Sequence, residues 1–93
     1  MIQSYKDKLT ASIANGSVRK GFPGDLVRRA QLMLTLLHHA KELTDLRSPP
    51  GNRLEKLSGN REGQHSIRIN RQWRICFIWG EGGPENVEIT DYH

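Results

Sequence analysis

Trp73-Arg74-Ile75-Cys76-Phe77-Ile78-Trp79 reads as one β-strand with apolar residues on both faces. Successive side chains of a strand point to opposite sides. Trp73, Ile75, Phe77 and Trp79 therefore share one face, and Arg74, Cys76 and Ile78 share the other. A strand that is largely apolar on both sides belongs in the middle of a sheet. Working outward, Gly80-Glu81-Gly82-Gly83-Pro84 is a turn, and Asn86 to Tyr92 is a following strand with Val87 and Ile89 in alternation. On the other side, Asn70-Arg71-Gln72 makes a short hairpin loop, and Gln64 to Ile69 supplies a partner strand carrying Ile67 and Ile69. Ser58 to Gly63 is turn-rich, and Arg53 to Leu57 is a further short strand. The second half of the chain is thus an antiparallel meander.

The first half has a different period. Ser48-Pro49-Pro50-Gly51-Asn52 halts any helix before it. Leu26, Ala30, Met33, Leu37 and Ala40 recur every three or four residues, and Val27, Leu34 and Leu36 widen the stripe. This predicts an amphipathic helix of about four turns, with Asp25 as its N-cap. Arg28, Arg29, Gln31 and Lys41 fall off the stripe. His38 and His39 are adjacent, and adjacent helical residues diverge by about 100°. The pair therefore reads as surface side chains near a helix C-terminus. Lys6 to Asn15 predicts a shorter helix stopped at Gly16, with Ile2 to Tyr5 as a short strand before it and Ser17 to Gly24 as a loop after it. The expected class is α+β, with N-terminal helices packed on one face of a mainly antiparallel sheet, in a single domain over 1–93.

At 93 residues, 35% apolar and 26% charged, the composition is that of a small globular domain. No apolar run approaches the ~18–20 residues that span a bilayer. The first residues lack the apolar region and small-residue cleavage site of a secretory signal. Cys76 is the only cysteine, so no intrachain disulfide forms. Together these predict a cytoplasmic protein with no membrane association.

The net charge of +4 is unevenly spread. Residues 47–74 hold Arg47, Arg53, Lys56, Arg61, Arg68, Arg71 and Arg74 against Glu55 and Glu62, whereas 75–93 hold four acids and no Lys or Arg. A basic block of this density suits a polyanion. RNA is cut without metal when a base takes the 2′-hydroxyl proton, an acid protonates the departing 5′-oxygen, and cationic donors hold the phosphate. Asp91-Tyr92-His93 offers a carboxylate, a phenol and an imidazole on the last strand. Arg74 lies on the predicted neighbouring strand, its planar fork matched to phosphate, and Arg68 lies on the one beyond. Glu55 and Lys56 precede the Gly-rich turn and approach from the side. Zinc-type spacing, a P-loop and a nucleophile elbow are all missing, so neither a metal nor a cofactor is expected. Each group also has a structural alternative. Arg74 is equally suited to pair with Asp91 or Glu88, Cys76 fits a small buried hydrophobe, and Trp73 and Trp79 fit the core better than a base-stacking platform.

Across nearly its full length the chain resembles the HigB branch (plasmid-maintenance killer proteins) of the RelE-like toxin superfamily. The residues carrying the resemblance are Met1-Ile2, Leu46-Arg47, Asn52-Arg53-Leu54 through Leu57, Gly59-Asn60-Arg61-Glu62-Gly63, Gln64-His65-Ser66-Ile67-Arg68, Trp73-Arg74-Ile75-Cys76-Phe77 and Asp91-Tyr92-His93. The resemblance implies a RelE-like toxin fold and a ribosome-dependent mRNA endoribonuclease. It also implies a HigA-like helix-turn-helix antitoxin as partner, with operator DNA reached indirectly through that antitoxin. It assigns catalysis to His93, Tyr92, Asp91 and Arg74. Glu55 stands where some members carry His, which leaves the base role to Glu55 or moves more of it to the tail. Arg53, Lys56, Arg61, Arg68, Arg71 and His65 are the expected RNA contacts. The competing readings are a non-catalytic RNA- or ribosome-binding module, and an interaction domain for an acidic partner.

Overall fold

The computed structural model describes residues 1–17 and 21–91. Two α-helices precede four strands: α1 (Lys8–Ala14), α2 (Val27–His39), β1 (Glu55–Lys56), β2 (His65–Arg68), β3 (Trp73–Gly80) and β4 (Gly83–Asp91). The strands form one antiparallel sheet in the order β1-β2-β3-β4. The α+β class, the meander and the interior position of the Trp73 strand are therefore all found.

One face of the sheet is the floor of the core. Ile67, Ile69, Ile75, Phe77, Val87 and Ile89 meet Ile13 from α1 and Ala30, Met33, Leu34 and Leu37 from α2. Each such aliphatic side chain gives roughly 1.5–3 kcal/mol on burial. Phe22 caps one end, its ring set edge-on to Trp73 at 5.0 Å between centroids. α2 keeps the expected stripe with two corrections. Asp25 does not cap the helix: it sits inside a 3-10 turn, Gly24–Leu26, and α2 starts from Leu26 without a side-chain cap. Leu36 is 38% exposed instead of buried. At about 100° per residue, Leu34 and Leu36 lie on opposite shoulders of the stripe, and the helix is rolled so that only the Leu34 shoulder faces the sheet.

α1 starts two residues later than expected. Asp7 caps it by accepting from the Thr10 amide at 2.8 Å. The Ile2 to Tyr5 strand reduces to one parallel bridge, Tyr5 to Val87. Around it the Gln3 and Lys6 amides donate to the Pro84 and Val87 carbonyls at 2.8 and 2.9 Å, and the Val87 amide donates to Ser4 at 3.0 Å. Buried Thr10 accepts from the Ile89 amide at 2.9 Å. The outer edge of β4 is thereby covered by the N-terminal segment.

β1 is shorter than the predicted Arg53 to Leu57 because Arg53 turns into the left-handed region, φ 46°. β4 is longer than predicted: it begins at Gly83, so the turn after β3 contracts to Glu81-Gly82. It also carries a bulge. Cys76 pairs with Glu88 but Ile78 pairs with Glu85, so Asn86 and Val87 together oppose Phe77. Asn86 accommodates the bulge at φ 50°, which asparagine tolerates better than most side chains.

Candidate active site

Arg74 departs from the opposite face of the sheet, away from the helices, as the alternation required. It is only 7% exposed. A buried guanidinium needs partners, and the fold supplies them. Arg74 Nε donates to Ser66 Oγ at 2.7 Å, and Nη2 donates to the Arg53 carbonyl at 2.6 Å and to the Ser66 carbonyl at 3.5 Å. The Arg53 carbonyl reaches Nη2 from a residue held in the left-handed region. Nη1 stands 3.8 Å from Glu55 Oε1, whose side chain is 48% exposed.

Register places the neighbours. Arg68 of β2 is directly opposite Arg74, and Thr90 of β4 is opposite on its other side. Two arginines facing across a ladder repel, and a sheet chosen for stability alone avoids that arrangement. Arg68 turns its Nε to the Asn70 carbonyl at 3.0 Å. Asp91 pairs with Trp73 at the end of β4, is exposed, and accepts from Gln72 Nε2 at 2.9 Å. It is one residue beyond the Thr90 that faces Arg74, so by alternation it shares the Trp73 face and is not brought to Arg74 by register. The other two members of the predicted tail, Tyr92 and His93, lie outside the described residues.

A family model described as the RelE-like toxin of the type II toxin-antitoxin system HigB matches residues 3–93. The chain belongs to the HigB-like toxin family. Toxin HigB-1 of Vibrio cholerae serotype O1 is 37% identical to it over 93 residues, covering 99% of this chain and 98% of the relative. Endoribonuclease HigB of Proteus vulgaris is 32% identical over 93 residues, covering all of both chains. The fold matches a chain of the YoeB-YefM complex from Staphylococcus aureus with a TM-score of 0.62 at 15% identity, over 100% of this chain and 98% of that one. The fold is therefore the RelE-like toxin fold expected from the resemblance.

In this HigB-like chain the expected RNA contacts divide between two faces. Arg74, Glu55, Arg68 and the Arg53 backbone come together. Arg71 is exposed in the hairpin loop between β2 and β3. Arg61 belongs to the Arg74 side but bonds Glu88 Oε1 at 3.0 Å and Gln64 Oε1 at 3.1 Å, with Lys6 3.6 Å from the same Glu88 oxygen. Glu88 is thus engaged by Arg61 and Lys6. Cys76 beneath them is fully buried, and burial pushes its thiol up from the ordinary range, as for an inert hydrophobe.

Lys56 and His65 are not brought to Arg74. They pair with each other and, through His65, with Phe77, so they share the helix-covered face. The His65 ring is stacked on Phe77 at 6.3 Å between centroids. Burial, with the Lys56 charge adding to it, pulls the His65 imidazole below its ordinary value. On acidification the unfolded chain takes the proton first. The stability that His65 contributes is therefore complete above about pH 6.5 and is lost as pH falls through the lower folded value. We expect the urea midpoint to fall between about pH 7.5 and 5.5, and His65→Gln to flatten that part of the profile.

Reading residues one at a time missed two parts of the site, Ser66 and the Arg53 carbonyl. Ser66 was legible in principle. Once Asn70 to Gln72 is taken as the hairpin loop, counting back in pairs sets Ser66 and Arg68 on the Arg74 face and His65 on the Phe77 face. The Arg53 carbonyl depends on a left-handed turn at a non-glycine residue, which nothing in the local sequence marks.

Proposed function

We propose that the chain is the toxin of a type II toxin–antitoxin pair and acts as a ribosome-dependent, metal-free mRNA endoribonuclease. The observation that carries this reading is the buried Arg74 guanidinium, tied to the sheet in register with a second arginine and beside a half-exposed carboxylate. A guanidinium held in this way is suited to stabilise charge developing on a phosphate, because it need not reorganise during the reaction. The relative named an endoribonuclease supports the same reading.

The proposed reaction needs no group beyond those in the sequence. The 2′-oxygen attacks phosphorus and gives its proton to a base. The bond from phosphorus to the 5′-oxygen breaks, and an acid protonates the departing oxygen. Arg74 holds the phosphate, with Arg68 adding positive charge. Tyr92 and His93, with Asp91 at the end of β4, are the proposed carriers of proton transfer, and Glu55, 3.8 Å from Arg74 Nη1, is the candidate base. Arg53 and Arg71 steer the RNA backbone. The ribosome presents the mRNA and supplies much of the positioning. The proposed partner is a HigA-like antitoxin with a helix-turn-helix domain, which carries the pair to operator DNA. The proposed setting is the cytoplasm, and 1–93 is proposed as one catalytic domain.

The test is inducible expression followed by primer extension on cellular mRNA. Translation-dependent cuts are expected, and they should disappear with Arg74→Ala and with His93→Gln. Growth arrest that persists in His93→Gln without cuts would instead favour a non-catalytic ribosome-binding module. Glu55→His should change the pH profile of cleavage; an unchanged rate and profile would remove Glu55 from the reaction.

A further inference from the structure

We propose that Ser66 is the positioning residue of the Arg74 site, acting with the Arg53 carbonyl to fix which end of the guanidinium meets the phosphate. The inference rests on the endoribonuclease reading above and adds a specific stereochemistry to it.

An arginine presents a phosphate with two kinds of paired donors: the Nε and Nη2 edge, side-on, or the Nη1 and Nη2 end. Here the side-on edge is used by the protein itself. Ser66 Oγ takes Nε at 2.7 Å, and the Arg53 and Ser66 carbonyls take Nη2 at 2.6 and 3.5 Å. Nη1 is the nitrogen that meets the exposed Glu55 carboxylate. A carboxylate is a planar, anionic oxygen acceptor, so Glu55 marks the end at which the guanidinium receives an anion. With Nη2 held by two carbonyls, the phosphate is engaged through Nη1, beside Glu55.

Ser66 is well placed to impose this choice. It is fully buried, and its strand pairs with β1 on one side and β3 on the other, so its hydroxyl has little freedom to drift. The second acceptor comes from Arg53 in the left-handed region, φ 46°, ψ 57°. That conformation is disfavoured for a residue other than glycine. Strained backbone of this kind is characteristic of sites where an atom must be delivered to one place. A serine that only filled space here would not need to face Nε.

The test uses purified full-length toxin on programmed ribosomes, with kcat and KM measured separately. Ser66→Ala should lower kcat on the order of 10- to 100-fold, the scale of a small misplacement of a reacting group, with KM changed little. Ser66→Cys keeps the shape and burial with a slightly larger atom and weakens the acceptor, so it should fall between wild type and Ser66→Ala. In an Arg74→Lys background, which has no Nε to hold, adding Ser66→Ala should cost no further activity. A readout independent of cleavage is the Arg74 Nε–H resonance in NMR. It should be protected from exchange in wild type and lose protection in both Ser66 variants. A folded Ser66→Cys protein with wild-type kcat and a protected Nε–H overturns the proposal. If Ser66→Ala does not fold, the Ser66→Cys pair of measurements decides. If Arg74→Lys itself retains full kcat, the catalytic reading of Arg74 fails. If Arg74→Lys is impaired and Ser66→Cys is not, only the positioning role fails.

Discussion

Arg74→Lys should lower kcat on programmed ribosomes by a factor on the order of 10² to 10³, with the protein expected to stay folded. Lysine keeps the positive charge, so ribosome and RNA association should be nearly unchanged and the loss should fall on kcat. What lysine lacks is the geometry. Its ammonium is a point charge that cannot bond Ser66 Oγ and the Arg53 carbonyl from one rigid plane and still present a second nitrogen to the phosphate. Arg74→Ala is a less clean probe. It removes charge-assisted bonds worth roughly 1.5–3 kcal/mol each and leaves Ser66 and the Arg53 carbonyl without their partner, so folding and catalysis would both suffer. The measurement is single-turnover cleavage of a defined mRNA at saturating toxin. A wild-type rate for Arg74→Lys would mean that charge alone is used here.

The second large effect is on the fold. Phe77→Ala should destabilise the protein by about 3–5 kcal/mol. Phe77 is fully buried at the centre of β3, and its ring contacts His65 on one side and Trp79, edge-on at 6.5 Å, on the other. It is also the residue that the Asn86-Val87 bulge of β4 wraps around. No neighbour can swing into the vacated space without breaking the ladder on one side. Small domains have only about 5–15 kcal/mol in total, so this one change removes a large share of it. A urea titration should show the midpoint falling sharply, and Tm should drop by more than about 10 °C. A shift of only one or two degrees would mean that the core collapses around the cavity.

Period-two alternation from Trp73 to Trp79 was enough to place β3 inside the sheet and to send Arg74 away from the helices. The three- and four-residue spacing from Leu26 to Ala40 was enough for α2. Legibility ended wherever the outcome depended on a contact distant in sequence. The roll of α2, which buries Leu34 and exposes Leu36, is set by the sheet beneath it. The shortness of β1 is set by Arg53, whose left-handed turn is compensated by a bond to Arg74, 21 residues later. Lys56 and His65 were expected beside the other RNA contacts from their place in a basic stretch, and charge along a sequence carries no record that they turn to the face opposite Arg74. The site itself was half legible. Its charged members stood out, and the neutral serine and carbonyl that hold them did not.

The seam between the N-terminal segment and β4 also sets an order of events during synthesis. Gln3 to Lys6 and Thr10 are made well before the amides and carbonyls that meet them, which belong to Pro84, Val87 and Ile89. A nascent chain that has emerged only through β3 has no partner for its opening residues, and its helical layer rests on an incomplete floor. Closure is thus deferred until β4 is out, when contacts between the two ends of the described chain form together. Chains that stop before Gly83 are therefore expected to lack this seam and to show no cooperative urea transition.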